Sequence, residues 1–357
     1  MHSPSPYRSI RRRCLAIAVS LLAVAAVSAP VLTSCTEPLT YTGSKDDPYK
    51  NFDMLARTVR ERYCFFRQKD IDWDAVTAKS RAQLTPQTNP VELFRIMSGM
   101  LDSLRDGHVN LNAPFATSYY KKWWSDYPQD FDNRTLQEYY LKFGGYQKNG
   151  LTYCAFLPDT VGYVRIPSFS VQIPPATLDY VLAAMDGTVG LIIDIRDNGG
   201  GYLTNVPEVV GRFITKKITG GYIRHKTGPG PEDFSKPYRI EYEPAAKGRI
   251  QYLGLPVILL TNRSCFSAAN DFTAVMRSLP NVTVVGARTG GGGGMPFSSE
   301  LPNGWGIRFS SSPINDSEDR ITEFGIDPDI EVHCTPDEFA AGKDAILDYA
   351  LGLFHKE

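Results

Sequence analysis

Residues 190–201 read GLIIDIRDNGGG, a short apolar run that ends in a charged pair and a cluster of glycines. An apolar run of this length without alternation fits a strand buried on both faces. Asn198, Gly199, Gly200 and Gly201 follow directly, and glycines there let backbone N–H groups meet a ligand without side-chain obstruction. A tight strand–helix turn and a phosphate loop are the other readings, but neither GxxxxGK[ST] nor GxGxxG occurs here. Asp194 and Arg196 read as a structural pair at the strand end.

The pattern continues outward. VGYVRIPSF (161–169) is a strand, ATLDYVLAAMD (176–186) a helix, LTNVPEVVGRFI (203–214) a helix and PVILLTN (256–262) a strand. A helix over 267–279, a strand VTVVGAR (282–288) that closes the series, and a terminal helix in DEFAAGKDAILDYALGLF (337–354) complete it. Val- and Ile-rich strands bounded by helices imply an α/β layered core over residues 159–357. Upstream, residues 51–111 are helical, with Phe52, Leu55, Val59 and Tyr63 at helical spacing and Leu93, Met97, Met100, Leu101 and Leu104 likewise. Gly107 suits a left-handed position past the second helix, which would turn His108 outward. Residues 112–158 are aromatic and irregular, a connecting segment too small for a typical PDZ domain beside other structure.

The 357 residues are 42% hydrophobic and 22% charged, which supplies ample core material. Beyond residue 35 there are 34 basic against 39 acidic residues, so no basic surplus points to nucleic acid. Arg11–Arg13, then CLAIAVSLLAVAAVSA (14–29) and PVLTSC (30–35), read as an export signal over 1–34 followed by a polar tether over 35–50. Leu32-Thr33-Ser34-Cys35 resembles the bacterial lipobox, which makes Cys35 the lipidation site. The expected location is the cell envelope, as a periplasmic or outer-membrane lipoprotein of a Gram-negative bacterium anchored through lipid. Cys64, Cys154, Cys265 and Cys334 lack CxxC or His/Cys metal spacing, and buried free thiols are favoured over disulfides. No cofactor or metal is implied, and nothing sets an oligomeric state.

TNRSCFSAANDF (261–272) offers three nucleophile-type side chains where a strand meets a helix. At Ser267 unpaired amides and the positive helix end favour a developing alkoxide or oxyanion. A plain N-cap serine is the competing reading. A serine nucleophile needs a base. No lysine follows Ser267 before Lys343, and among His108, His225, His333 and His355 the turn in RDGHVNL (105–111) favours His108. GARTGGGGGMPF (286–297) reads as a flap or a wall beside a site.

The order LRDGHVNL, IIDIRDNGGG, LTNRSCFSAANDF, EFGIDPDIEV resembles the C-terminal processing peptidases and their relatives, the tricorn protease core and the interphotoreceptor retinoid-binding modules. The resemblance spans roughly residues 50–335. It implies the ClpP/crotonase-like spiral ββα core with an N-terminal helical subdomain, and a serine endopeptidase acting on peptides or unfolded protein segments. It implies Ser267 as nucleophile, His108 as base, Glu323 orienting the imidazole directly or through a bridging polar group, and the amides of Gly200 and Ala268 as oxyanion hole. The chain departs from the pattern in three ways. The lysine base of the tail-specific branch is absent, Gly107 stands where the tricorn core has serine, and Asn270 stands where many members have Glu. A non-catalytic ligand- or peptide-binding lipoprotein on the same fold is the alternative.

Overall fold

The computed structural model describes residues 44–142, 144–156 and 160–355. The signal over 1–34, the acylation site Cys35 and most of the 35–50 tether lie outside the described residues.

Three helices come first, Pro48–Arg62, Trp73–Arg81 and Pro90–Asp102. Asp47, Asp72 and Asn89 cap them by accepting from first-turn amides, and Asn89 forms a reciprocal capping box with Glu92. The middle helix falls inside the 51–111 span read as helical, but no periodic residues marked it there. It buries only Trp73, Thr77 and Ser80, too little apolar material to make a helical period.

Along the chain follow β1 (Asn110–Ala113), β2 (Ala116–Tyr119), β3 (Tyr146–Lys148), β4 (Leu151–Phe156), β5 (Val161–Arg165) and β6 (Gly190–Asp194). Then come β7 (Ile218–Ile223), β8 (Tyr238–Tyr242), β9 (Val257–Thr261), β10 (Val282–Gly286), β11 (Gly294–Glu300), β12 (Gly306–Asp316) and β13 (Ile330–Glu331). The core sheet has the order β13-β10-β9-β6-β5-β4-β3. It is parallel from β13 to β5 and antiparallel through β4 and β3. Ile193 stands beside Leu259, and Leu259 beside Val284. These three pack under the helices Pro175–Ala183 and Ala268–Arg277. Their neighbours Ile192, Ile258 and Val285 instead join Ile346 and Leu347 of the terminal helix Ala345–Gly352. Because side chains alternate along a strand, both faces of the sheet are buried, as the unbroken apolar runs require.

The second sheet runs β2-β1-β12-β7-β8, with β11 also on β12, and all its pairings are antiparallel. It corrects the expectation that VTVVGAR closes the strand series. In β11 and β12 glycine, proline and serine dilute the apolar pattern, and pairing with neighbours supplies what local sequence does not. Ile307 and Phe309 of β12, with Leu301 and Trp305, share one apolar cluster with Phe52, Leu55 and Met97 of the opening helices. Leu111 of β1 pairs with Ile307. The turn just before β1, which carries His108, is thereby fixed on the same β12 that packs against the helix Ala268–Arg277.

Candidate active site

Ser267 occupies the N-cap position of the helix Ala268–Arg277, but its side chain makes no capping hydrogen bond. Its backbone sits at φ 57°, ψ −118°, a region that costs a non-glycine residue about 1–3 kcal/mol. The backbone is pinned there from both sides. Ser267 N–H donates to Gly291 O at 2.9 Å, Phe266 N–H donates to Asn198 O at 3.1 Å, and Ser267 O accepts from Asp271 N–H at 2.9 Å. The strain aims the hydroxyl away from its own helix, and Ser267 Oγ lies 3.0 Å from His108 Nε2. The plain N-cap reading of Ser267 is therefore set aside by geometry.

His108 is not turned outward. It is buried, with its ring 4.7 Å from the Phe266 ring and its backbone N–H donating to Asp106 Oδ1 at 2.8 Å. The left-handed residue of this turn is Arg105 (φ 46°) rather than Gly107, since the helix already ends at Asp102. Gly107 is required for space. A Cβ there would lie 2.6 Å from Trp123 Nε1 and 2.9 Å from the Phe266 ring. Burial lowers the His108 pKa to about 4 against the opposing pull of Asp106, with Arg308 and Lys69 adding to the lowering. The imidazole is thus neutral, with a free lone pair for a proton, at any ordinary pH.

Glu323 is buried behind this pair. It makes no hydrogen bond to His108. Its Oε1 accepts from Lys69 Nζ at 2.6 Å, while Glu323 Oε2 and His108 Nδ1 are both buried without a partner. Direct orientation of the imidazole by Glu323 is therefore not what the structure shows. Burial and the Asp106 charge push the Glu323 carboxyl up to about 8, and Lys69 opposes them. Burial alone would lower Lys69, but Asp106 and Glu323 outweigh it and hold the ammonium charged. Asp106, reached by Lys69 Nζ at 3.7 Å and by the Tyr63 hydroxyl at 3.1 Å, is held below the usual carboxylate range, because Lys69 and His108 overcome its burial. Sequence reasoning missed Lys69. It considered lysines downstream of Ser267, and RQKD (67–70) carries no motif.

Gly200, at φ 91°, lies against Ser267, and a Cβ there would meet Phe266 O at 2.6 Å and Ala268 N at 2.9 Å. The amide of Ala268 is the first of its helix and has no intrahelical acceptor. The Gly200 N–H, by contrast, donates to Asn198 Oδ1 at 2.9 Å. Of the two expected oxyanion donors, one is open and one is already engaged. The glycine run forms a buried wall rather than a flap. Gly291 (φ 83°) lies so close to Glu323 O that no Cβ fits, which ties the glycine run that accepts the Ser267 N–H to the acid's loop. Asn270 adds a second tie, donating to Thr322 O at 3.1 Å and accepting from Thr289 Oγ1 at 2.6 Å.

The other candidates go elsewhere. Burial pushes the Cys265 thiol up to about 12, and it donates to Ile195 O. Cys64, Cys154, Cys265 and Cys334 are all free and buried. His225 meets Ser312 Oγ, and His333 meets Asp130 and Glu331. Asp194 and Arg196 pair structurally, at 2.7 Å. Among the described residues no three metal-ligating side chains cluster.

Residues 160–332 match the model of peptidase family S41, and residues 44–102 match the tricorn protease C1 domain. A crystal structure from Parabacteroides merdae ATCC 43184, whose peptidase activity is itself an assignment, is 44% identical. It superposes with a TM-score of 0.82 over 86% of this chain and 96% of that one. The tricorn protease of Thermoplasma acidophilum is 26% identical over 202 residues, which is 56% of this chain and 17% of that protein. The carboxy-terminal processing protease CtpB of Bacillus subtilis is 27% identical over 188 residues, 51% of this chain and 36% of its own length. The chain thus spans only a minor part of these two curated relatives. On the family match and the near full-length likeness to the P. merdae structure, the chain belongs to the serine peptidases of family S41.

Proposed function

We propose that this protein hydrolyses peptide bonds in peptides or unfolded protein segments, with Ser267 as nucleophile, His108 as general base and Glu323 as the supporting acid. The observation that carries the reading is the 3.0 Å pairing of a strained, uncapped serine hydroxyl with a neutral buried imidazole. His108 Nε2 takes the Ser267 proton as Oγ attacks the scissile carbonyl carbon. The oxyanion forms beside the Ala268 amide at the positive helix end. His108 then returns the proton to the leaving amine, and an acyl ester remains on Ser267. Water deprotonated by the same nitrogen hydrolyses that ester.

Gly107 has no side chain to bridge His108 and Glu323. Glu323 would then act on the imidazole through a bridging polar group, since His108 Nδ1 and Glu323 Oε2 have no side-chain or backbone partner of their own. Substrate reaches the site in the cell envelope, where acylated Cys35 tethers the chain. That assignment is supported by the charge cluster, apolar run and Leu32–Cys35 motif alone.

The binding-module alternative has one observation in its favour, the Gly200 N–H already given to Asn198. A fluorophosphonate probe separates the two. The peptidase reading requires labelling at Ser267 that is abolished in Ser267→Ala and in His108→Ala. Absence of labelling in a folded wild-type chain would leave the binder.

A further inference from the structure

The first helix ends at Arg62, and the turns that follow carry Lys69 into the interior, where its side chain is only 4% exposed. Its backbone is fixed there. Lys69 N–H donates to Phe65 O at 3.1 Å, and Lys69 O accepts from the Arg105 guanidinium. The rings of Tyr63 and Phe65 stand 6.0 Å and 5.6 Å from the ammonium. An ammonium has three hydrogens to give, and three oxygens surround this one. Arg105 O accepts at 3.1 Å, Glu323 Oε1 accepts at 2.6 Å, and Asp106 Oδ2 lies at 3.7 Å. Arg105 and Asp106 belong to the turn that presents His108, and Asp106 Oδ1 accepts the His108 N–H at 2.8 Å. Glu323 comes from the far side of the site, on the loop after β12.

Packed apolar side chains often replace a buried ion cluster with no loss of stability, so the fold alone does not call for these charges. What the ammonium supplies is register between two parts of the site. His108 and Glu323 share no hydrogen bond, whereas Lys69 bonds both the histidine's turn and the acid. It takes Glu323 at Oε1 and leaves Oε2 without a partner, as His108 Nδ1 is. Resting on the peptidase reading, we infer that Lys69 is a positioning residue of the site. Anchored on Arg105 O, it holds Glu323 by one oxygen and keeps the other for the imidazole. The opening helical region thereby serves the chemistry as well as the apolar core it builds.

The rate at which a fluorophosphonate labels Ser267 reads the site without a known substrate, and a double-mutant cycle on that rate tests the assignment. At pH 8.5, Lys69→Met and Glu323→Gln should each slow labelling about tenfold or more, the worth of one charge-assisted contact. Because Lys69 acts through Glu323, the double variant should label no more slowly than Glu323→Gln alone. Lys69→Arg, which keeps the charge, should recover part of the loss. The deficit of Lys69→Met should also grow from pH 6 to pH 9. Burial and Asp106 place the Glu323 ionisation at about 8 against the pull of Lys69, and removing that cation moves it higher. The other titratable groups against Lys69 do not titrate in this range. Burial pushes Tyr63 and Cys64 well up, and burial of Asp106 is overcome by Lys69 and His108, which hold it down. Where Lys69→Met does not fold, Lys69→Gln gives the same cycle with a polar side chain. A wild type that labels, with Lys69 variants that label as fast or show additive losses independent of pH, overturns the positioning role and leaves the peptidase. A folded wild type that does not label removes the peptidase reading and the role with it.

Discussion

Two clusters of buried charge stand in this molecule, one at the end of β6 and one behind His108, and they are completed in different ways. At β6, Arg196 donates to both oxygens of Asp194 and to Asp344 Oδ1 at 2.8 Å, and the Tyr163 hydroxyl donates to Asp194 Oδ2 at 2.8 Å. Although Asp344 keeps one oxygen unpaired, Asp194 and Arg196 are each held in the charged form. Asp194 is lowered because Arg196 and Arg165 outweigh its burial, and Arg196 is raised well above its usual value because Asp194 and Asp344 outweigh its own. Behind His108 the same ingredients are left open. Glu323 is pushed up to about 8 and His108 down to about 4, each toward its neutral form. A saturated cluster holds charge in place and serves the fold. An unsaturated one leaves protons able to move, which is the property a proton-transfer site needs.

The largest expected effect comes from removing the cation of each cluster in turn. Arg196→Met strands Asp344 and also Asp194, which Arg196 and Arg165 hold below the usual carboxylate range, and breaking such a network costs about 3–5 kcal/mol. Lys69→Met strands Asp106 and Glu323, but Glu323 already favours its protonated form near neutral pH and can discard its charge. Urea unfolding at pH 7 should therefore show a smaller loss for Lys69→Met than for Arg196→Met. Equal losses, or the reverse order, would erase the distinction between the two clusters.

Glu323→Gln sharpens the same contrast through pH. The folded pKa of about 8 lies above the ordinary carboxyl value of 4.5, so the folded state binds more protons between those values. Stability from this group is fully present below about 4.5 and is lost as pH rises through about 8. The Gln variant should remove that decline, seen as a flatter melting temperature from pH 5 to 8.5. His108 acts with the opposite sign. With a folded pKa of about 4 against 6.5, the unfolded state binds more protons between those values, so stability falls as pH drops through that window. The Gln change should also lower kcat by about 100-fold, the low end of one acid–base contribution. An unchanged kcat would take Glu323 out of the mechanism.

How much of this was legible depends on whether a feature is local. β5, β6, β9 and β10 are apolar runs buried on both faces, a signal written in consecutive residues. β7, β8, β11 and β12 take their stability from cross-strand neighbours, and runs such as GMPFSSE show no period of their own. Ser267 and His108 could be matched by chemistry, because a hydroxyl nucleophile needs a base and few histidines were available. Lys69 could not, since its hydrogen-bond partner Glu323 lies 254 residues away in sequence. Gly107 was read as a conformational stop when it is a steric one, a distinction that only the position of Trp123 reveals.

That position supplies the smallest and most specific test. A side chain at residue 107 is the simplest way to close the open cluster, and Gly107→Ser would bring a hydroxyl next to His108. The Cβ would lie 2.6 Å from Trp123 Nε1 and 2.9 Å from the Phe266 ring, both too close to stand. Trp123 stacks on Phe266 at 4.2 Å and is only partly buried, so it is the group able to give way. Overpacking of this kind costs about 1–3 kcal/mol. Gly107→Ser alone should lose about that much stability in urea unfolding. Combined with Trp123→Leu, which removes the indole, it should lose less than the sum of the two single changes, as residues in contact do. Strict additivity would mean that Trp123 does not set the size of residue 107.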